Sequence, residues 1–112
     1  TGDTPDLTDS RIPVKLGGGP TFLIKQGEDI IHIPLYRRIL EIAAEHGIPT
    51  QCCSMEWEMT ETHKIQETKH GGVPTLDICL PIRYAHSAVE TVSLEDMLQI
   101  EKLLLALIEE IQ

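Results

Sequence analysis

Hydrophobic residues fall into blocks along the chain, and glycines and prolines mark the breaks between them. Val14-Lys15-Leu16 and Thr21-Phe22-Leu23-Ile24 flank Gly17-Gly18-Gly19-Pro20, which predicts two short strand pieces around a glycine kink. From Pro34 to His46 the spacing changes. Leu35, Ile39, Ile42 and Ala43 recur at helical intervals, with Arg37, Arg38, Glu41 and Glu45 elsewhere, so a helix is expected. Pro34 suits its first turn, Gly47 its end, and Pro49 forbids continuation. Tyr36 and His46 are expected on its partly exposed face. Residues 50–59 predict a strand, because Met55, Trp57 and Met59 alternate with Glu56 and Glu58. Residues 60–70 predict a short, largely polar helix capped by Thr60 or Thr62. Gly71-Gly72 then opens an apolar run, Val73, Leu76, Ile78, Cys79, Leu80 and Ile82, read as a strand covered on both faces. Ser93 to Gln112 completes the pattern as a helix. Ser93 is its N-cap, Asp96 an imperfect capping-box partner, and Leu94, Met97, Leu98, Leu104, Leu105, Ile108 and Ile111 its apolar stripe.

The order β-β-α-β-α-β-α predicts an α/β fold, a three-layer sandwich whose mainly parallel or mixed sheet is flanked by helices. With 112 residues and 41% hydrophobic content, residues 1–112 are expected to form a single domain or fragment. The net charge of −9 offers no basic patch, which argues against nucleic acid as a partner. Six acids against one base in segment 90–112 argue against a membrane-surface helix, which is basic on its polar face. Glu109 and Glu110 sit unfavourably near a helix C-terminus. No apolar run is long enough for a membrane span, and the polar, acidic residues 1–15 predict no secretory leader. Three cysteines, Cys52, Cys53 and Cys79, fit neither a disulfide framework nor a zinc motif and predict reduced thiols in a cytoplasmic protein.

The candidate chemistry lies just past the apolar run, in Arg83-Tyr84-Ala85-His86-Ser87. In open α/β sheets ligands gather beyond strand ends, so a buried strand leading into a histidine-bearing loop marks a candidate site. The end of the 50–59 strand is expected close by. The three glycines at 17–19 resemble a phosphate cradle, but no helix follows them directly, so that reading is set aside. His63, Glu67 and His70 share a helix face and form a weaker metal candidate, because their spacing is looser than that of helical zinc motifs.

The string Gly72-Val73-Pro74-Thr75, followed by Pro81-Ile82-Arg83-Tyr84-Ala85-His86-Ser87-Ala88-Val89-Glu90, resembles the C-terminal signature of the M42 metallo-aminopeptidases. That family includes the tetrahedral (TET) aminopeptidases, glutamyl aminopeptidases and proteins once labelled endoglucanase M. The resemblance implies a hydrolase with two divalent ions, zinc or cobalt, per complete site. It places His86 at a metal-ligand position, and it implies that Arg83, Tyr84, Ser87 and Glu90 support the site. Ser87 or Glu90 would orient the imidazole. It also implies peptide substrates, a homo-oligomer, and a chain corresponding to the last third or so of a family member. The other ligands and the general base would then lie upstream. Asp3, in an Asp-Thr-Pro string that follows a metal-binding aspartate in the family, is a turn residue rather than a ligand. No catalytic residue is expected within these residues, and alone they are expected to be inactive and to hold no ion stably. Where the family carries Gly-Gly-Thr-Asp-Ala, this chain has Glu58-Met59-Thr60-Glu61-Thr62, so Met59, Thr60 and Glu61 are the candidate substrate contacts. The altered string also admits a non-catalytic α/β interaction or assembly module.

Overall fold

The structure, a computed structural model, describes residues 13–27, 29–56, 60–68 and 72–111. Its main sheet is built on β1 (Thr21–Gln26), with β2 (Asp29–Ile30), β3 (Gln51–Met55) and β4 (Asp77–Cys79). Strand β3 runs parallel to β1 on one side; β2 and β4 pair antiparallel to it on the other. Helix α1 (Ile33–Glu45) connects β2 to β3, and the short α2 (Thr62–Gln66) precedes β4. A separate hairpin of β5 (Ile82–Arg83) and β6 (Thr91–Val92) leads into α3 (Leu94–Ile111). The fold is the expected α/β type with a mixed sheet.

Phe22 carries the helical side of the core. Its fully buried ring packs with Ile39, Ala43, Ile48 and Leu103, with Leu76, Ile78 and Leu107 at the margin. Tyr36 meets Phe22 edge-on at 5.6 Å between ring centroids, a favourable aromatic geometry. Burying a side chain of this size stabilises the fold by roughly 1.5–3 kcal/mol. The opposite face of β1 carries Leu23, which packs with Val14 and Cys53 and is flanked by Met55 and Cys79. Between Leu23 and Lys25 the pairing with β3 slips by a residue. Side chains alternate strictly along an unbroken strand, so this irregularity reverses the alternation and places Gln26 on the face of Leu23 and Met55.

Several elements differ from their sequence patterns. Residues 14–16 form no strand; they enter a turn at Leu16-Gly17-Gly18, and only Val14 reaches the core. The run from Val73 to Ile82 is not one strand covered on both faces. Only Asp77–Cys79 pair with β1, Val73 is 41% exposed, and the strand residues are half-buried. Pro74 and Pro81 have no N–H for a ladder, and Pro81 is instead buried as a corner before the hairpin. Helix α1 follows its pattern, but its cap is His32, whose Nδ1 accepts the Leu35 N–H at 3.2 Å. Tyr36 is half-buried and His46 exposed.

Helix α3 turns the other way round from expectation. Leu94, Met97, Leu98, Leu104, Leu105 and Ile108 are exposed, and Leu103, Ala106 and Asp96 are buried. The helix has two apolar stripes; the one with Ala106 allows close approach to α1 and Phe22. The same face brings Glu110 to Arg38 on α1, so this acid near the helix end is offset by a cation. Lys102 Nζ donates to the His46 carbonyl at 2.7 Å, joining α3 to the end of α1.

Candidate functional site

His86 sits in the turn between β5 and β6. Tyr84 and His86 both adopt left-handed backbone, at φ 59° and 64°. Bulky residues pay for that conformation, at roughly 1–3 kcal/mol each where it is enforced, and such positions cluster at functional sites. The turn enforces it with its own bonds. The Ser87 N–H donates to the Tyr84 carbonyl at 3.0 Å, and the Ser87 hydroxyl donates to the Val89 carbonyl at 2.7 Å. The His86 N–H donates to Glu90 Oε1 at 2.7 Å. Glu90 and Ser87 therefore brace the backbone that carries His86, and their bonds go to main-chain groups rather than to the imidazole. Tyr84, His86, Ser87 and Glu90 are exposed, and Arg83 in β5 is half-buried. The outcome is an exposed imidazole carried on a braced turn.

The expected convergence of the two strand ends is not found. Strand β3 runs with β1, so Met55 lies beside Gln26; β4 runs against β1, so Cys79 lies beside Thr21. The end of β3 and the start of β4 therefore point toward the same end of the sheet from opposite sides of β1, and the chain leaves β4 toward the His86 turn from the other end. Sequence periodicity carries no information on strand direction, which is why this was not legible.

At the β3 end stands a polar knot that the sequence reading missed. Asp77 Oδ1 accepts the Thr62 hydroxyl at 2.6 Å, and the Thr60 hydroxyl lies 3.0 and 3.1 Å from its two oxygens. Gln26 Nε2 also donates to Asp77. An acid inside an apolar run was the available signal. Thr60 is thus committed to Asp77, whereas Glu61 is exposed before α2. Met59 lies outside the described residues, as do Asp3, Trp57 and His70. His63 Nε2 and Glu67 Oε2 are 3.7 Å apart, a pair on a half-exposed helix face.

The glycine turn does hold an anion, and that anion is internal. The N–H groups of Gly17 and Gly19 donate to Asp96 Oδ2 and Oδ1 at 2.7 and 2.8 Å. Asp96 is fully buried in the first turn of α3, where the helix dipole also favours a negative charge. Its own N–H reaches Ser93 Oγ at 3.4 Å, so the serine caps as expected, but the carboxylate turns to the glycine amides instead of back to Ser93. The side chain of Gln51 closes the turn from the other side: Oε1 accepts the Lys15 N–H at 2.8 Å, and Nε2 donates to the Lys15 and Gly19 carbonyls.

Among the described residues no three His, Cys, Asp or Glu side chains converge in a group able to hold a metal ion. A neutral imidazole suits zinc or cobalt chemically, and an exposed, braced one can fill a single coordination position. His86 therefore fits as one member of a larger ligand set. Cys52, Cys53 and Cys79 are in no disulfide, and no helix among the described residues is long and apolar enough to cross a membrane.

Comparison with known proteins agrees with this geometry. A curated relative from Acetivibrio thermocellus with an aminopeptidase name is 40% identical over 105 residues, covering 93% of this chain and 31% of its own length. The aminopeptidase APDkam598 from the archaeon Desulfurococcus kamchatkensis superposes with a TM-score of 0.90 at 33% identity, over 98% of this chain and 32% of that one. The TET1 peptidase of Pyrococcus horikoshii, which can assemble into a tetrahedron or a large octahedral shell, gives 0.77 at 32% identity over 95% and 30%. The chain thus spans about a third of the length of these relatives. The profile of the M42 glutamyl aminopeptidases matches residues 1–103. With sequence and fold in agreement, the chain belongs to the M42 aminopeptidase family.

Proposed function

We propose that these residues form the C-terminal part of an M42 catalytic domain that hydrolyses N-terminal residues from peptides, and that His86 supplies one ligand to its two-metal site. The observation that carries the reading is the left-handed His86, braced through its own N–H by Glu90 and presented to solvent. Strain of this kind is retained where it aims a side chain. A pair of divalent ions, zinc or cobalt, supplies Lewis-acid polarisation of the scissile carbonyl when bound. The role of this chain is to hold a neutral imidazole at a fixed position, with Glu90 and Ser87 bracing the turn and Arg83 and Tyr84 forming its entry. One imidazole cannot retain such ions, because zinc takes about three protein ligands plus water. The remaining ligands and the proton-transferring carboxylate are assigned to the rest of the catalytic domain, so these residues alone are inactive. Met59 and Glu61 stay the candidates for substrate contact, with Thr60 acting through Asp77. Assembly into a homo-oligomer follows the TET1 peptidase by similarity.

The test is His86→Ala in the natural polypeptide, assayed for release of N-terminal residues from short peptides and for bound metal. Loss of about one metal equivalent together with activity supports the reading; unchanged metal content refutes it. A second reading, a non-catalytic assembly module, is favoured by the exposed stripe Leu94, Leu98, Leu105 and Ile108 on α3. Self-association with no metal uptake by the natural polypeptide would select it.

A further inference from the structure

We propose that Asp96 is a positioning residue for His86, acting through the stem of the hairpin that presents the imidazole. The proposal rests on the reading of His86 as a metal ligand. Asp96 is fully buried, yet the bonds it makes are to backbone N–H groups. A buried carboxylate is costly unless its oxygens are satisfied, so the bonds from Gly17 and Gly19 fix its place tightly. That place sets the first turn of α3. The Met97 N–H donates to the Ser93 carbonyl and the Asp96 N–H to Ser93 Oγ, so Ser93 is held from both its main chain and its side chain.

Ser93 directly follows β6. Val92 pairs with Ile82 and Thr91 with Arg83, and Pro81 just before β5 is buried. Glu90, adjacent to Thr91, accepts the His86 N–H. An uninterrupted series of short bonded steps therefore runs from the 17–19 turn through Asp96, Ser93 and the hairpin stem to His86. Both ends of this series lie at the Thr21 end of the sheet, since the 17–19 turn feeds directly into β1 there and β4 exits there toward the hairpin. The bonds within the turn fix its shape, but the hairpin is only two pairs long and its turn is exposed, so they do not fix where the turn stands relative to the sheet. The anchor has to be external, and Asp96 is the buried group that supplies it.

The experiment uses the natural polypeptide stripped of metal and titrated with Co(II) alone, reading its visible absorption band. Hydrogen exchange of the His86 amide is measured alongside. Asp96→Asn keeps the size of the side chain but turns an N–H toward one of the glycine amides. The expected result is a Co(II) affinity lowered by about tenfold, the scale seen when groups supporting a ligand are removed. The cobalt band should shift and His86 exchange faster, while α1 amides keep their wild-type rates. If Asp96→Asn also accelerates exchange throughout α1, Ser93→Ala, which removes only the cap, decides by the same two readings. Wild-type affinity, band and His86 exchange in these variants, with His86→Ala still weakening Co(II) binding, would overturn the proposal and leave the ligand reading intact. Full Co(II) affinity in His86→Ala would instead overturn the ligand reading, and the His86 exchange rate would then report on the turn alone.

Discussion

Alanine at Gly17 and alanine at Gly19 should have very different effects, although the two backbones are nearly identical, at φ 82° and 85°. Any L side chain in this region costs about 1–2 kcal/mol from its Cβ alone. At Gly17 nothing among the described residues lies within 4 Å of an added Cβ. The strain is then partly offset by the reduced freedom of the unfolded chain, worth about 0.4–1 kcal/mol, so Gly17→Ala should lose only about 1 kcal/mol. At Gly19 the Cβ would collide with the Pro49 carbonyl oxygen and crowd the Pro49 ring. Backbone must move, and two bonds are adjacent: the Gly19 N–H to Asp96 at 2.8 Å and the Gln51 N–H to the Pro20 carbonyl at 2.8 Å. Weakening the first, to a charged acceptor, costs about 1.5–3 kcal/mol and the second about 1 kcal/mol. Adding the strain and subtracting the same unfolded-chain offset gives about 3–5 kcal/mol for Gly19→Ala. The assay is urea unfolding of both variants in the natural polypeptide, followed by far-ultraviolet circular dichroism with equal m-values required for comparison. A difference between them below about 1 kcal/mol would refute the close approach of the glycine turn to Pro49, because φ alone predicts near equality.

Asp77→Ala should destabilise the fold by about 2–3 kcal/mol, since Gln26 is buried and its Oε1 already has no hydrogen-bond partner among the described residues. Asp77→Asn should be much milder, because its amide can donate to Gln26 Oε1 after a flip of that side chain; equal losses in urea unfolding would contradict the network. Burial, with a further contribution from the nearby Cys52 sulfur, pushes the Tyr36 phenol above its usual range. The folded state then keeps the proton longer than the unfolded chain, so this contribution is fully present below about pH 10 and is lost as pH rises through the folded value. Stability of the wild type should therefore fall more steeply above pH 10 than that of Tyr36→Phe, and parallel curves would rule the assignment out.

Helix α1 was legible because its single apolar stripe, Gly47 and Pro49 all point to the same boundaries. The Arg83–Glu90 string was legible as family chemistry. The sheet was legible in class but not in direction: β4 runs against β1 because of pairings between residues about 55 positions apart, which no local pattern encodes. Helix α3 offered two apolar stripes, and periodicity favoured the larger one; the packing of Leu103 and Leu107 in the Phe22 cluster chose the other. In sequence Asp96 reads as a local capping acid and Asp77 as a single polar break in an apolar run. Each is a tertiary anchor because its partners come from distant turns, Gly17 and Gly19 in one case and Gln26, Thr60 and Thr62 in the other. The glycine turn shows the converse: its anion-binding geometry was suggested by composition, and only the fold reveals that the anion is its own Asp96.

The measurement to make is a crystal structure of the natural polypeptide grown with zinc, with data collected at the zinc absorption edge. If His86 is a ligand, an anomalous peak should lie about 2.0–2.1 Å from one of its ring nitrogens, with the turn at 84–90 in the braced, left-handed form. Zinc bound elsewhere, with the His86 imidazole free in solvent, would contradict the assignment of this chain to a metallo-aminopeptidase site.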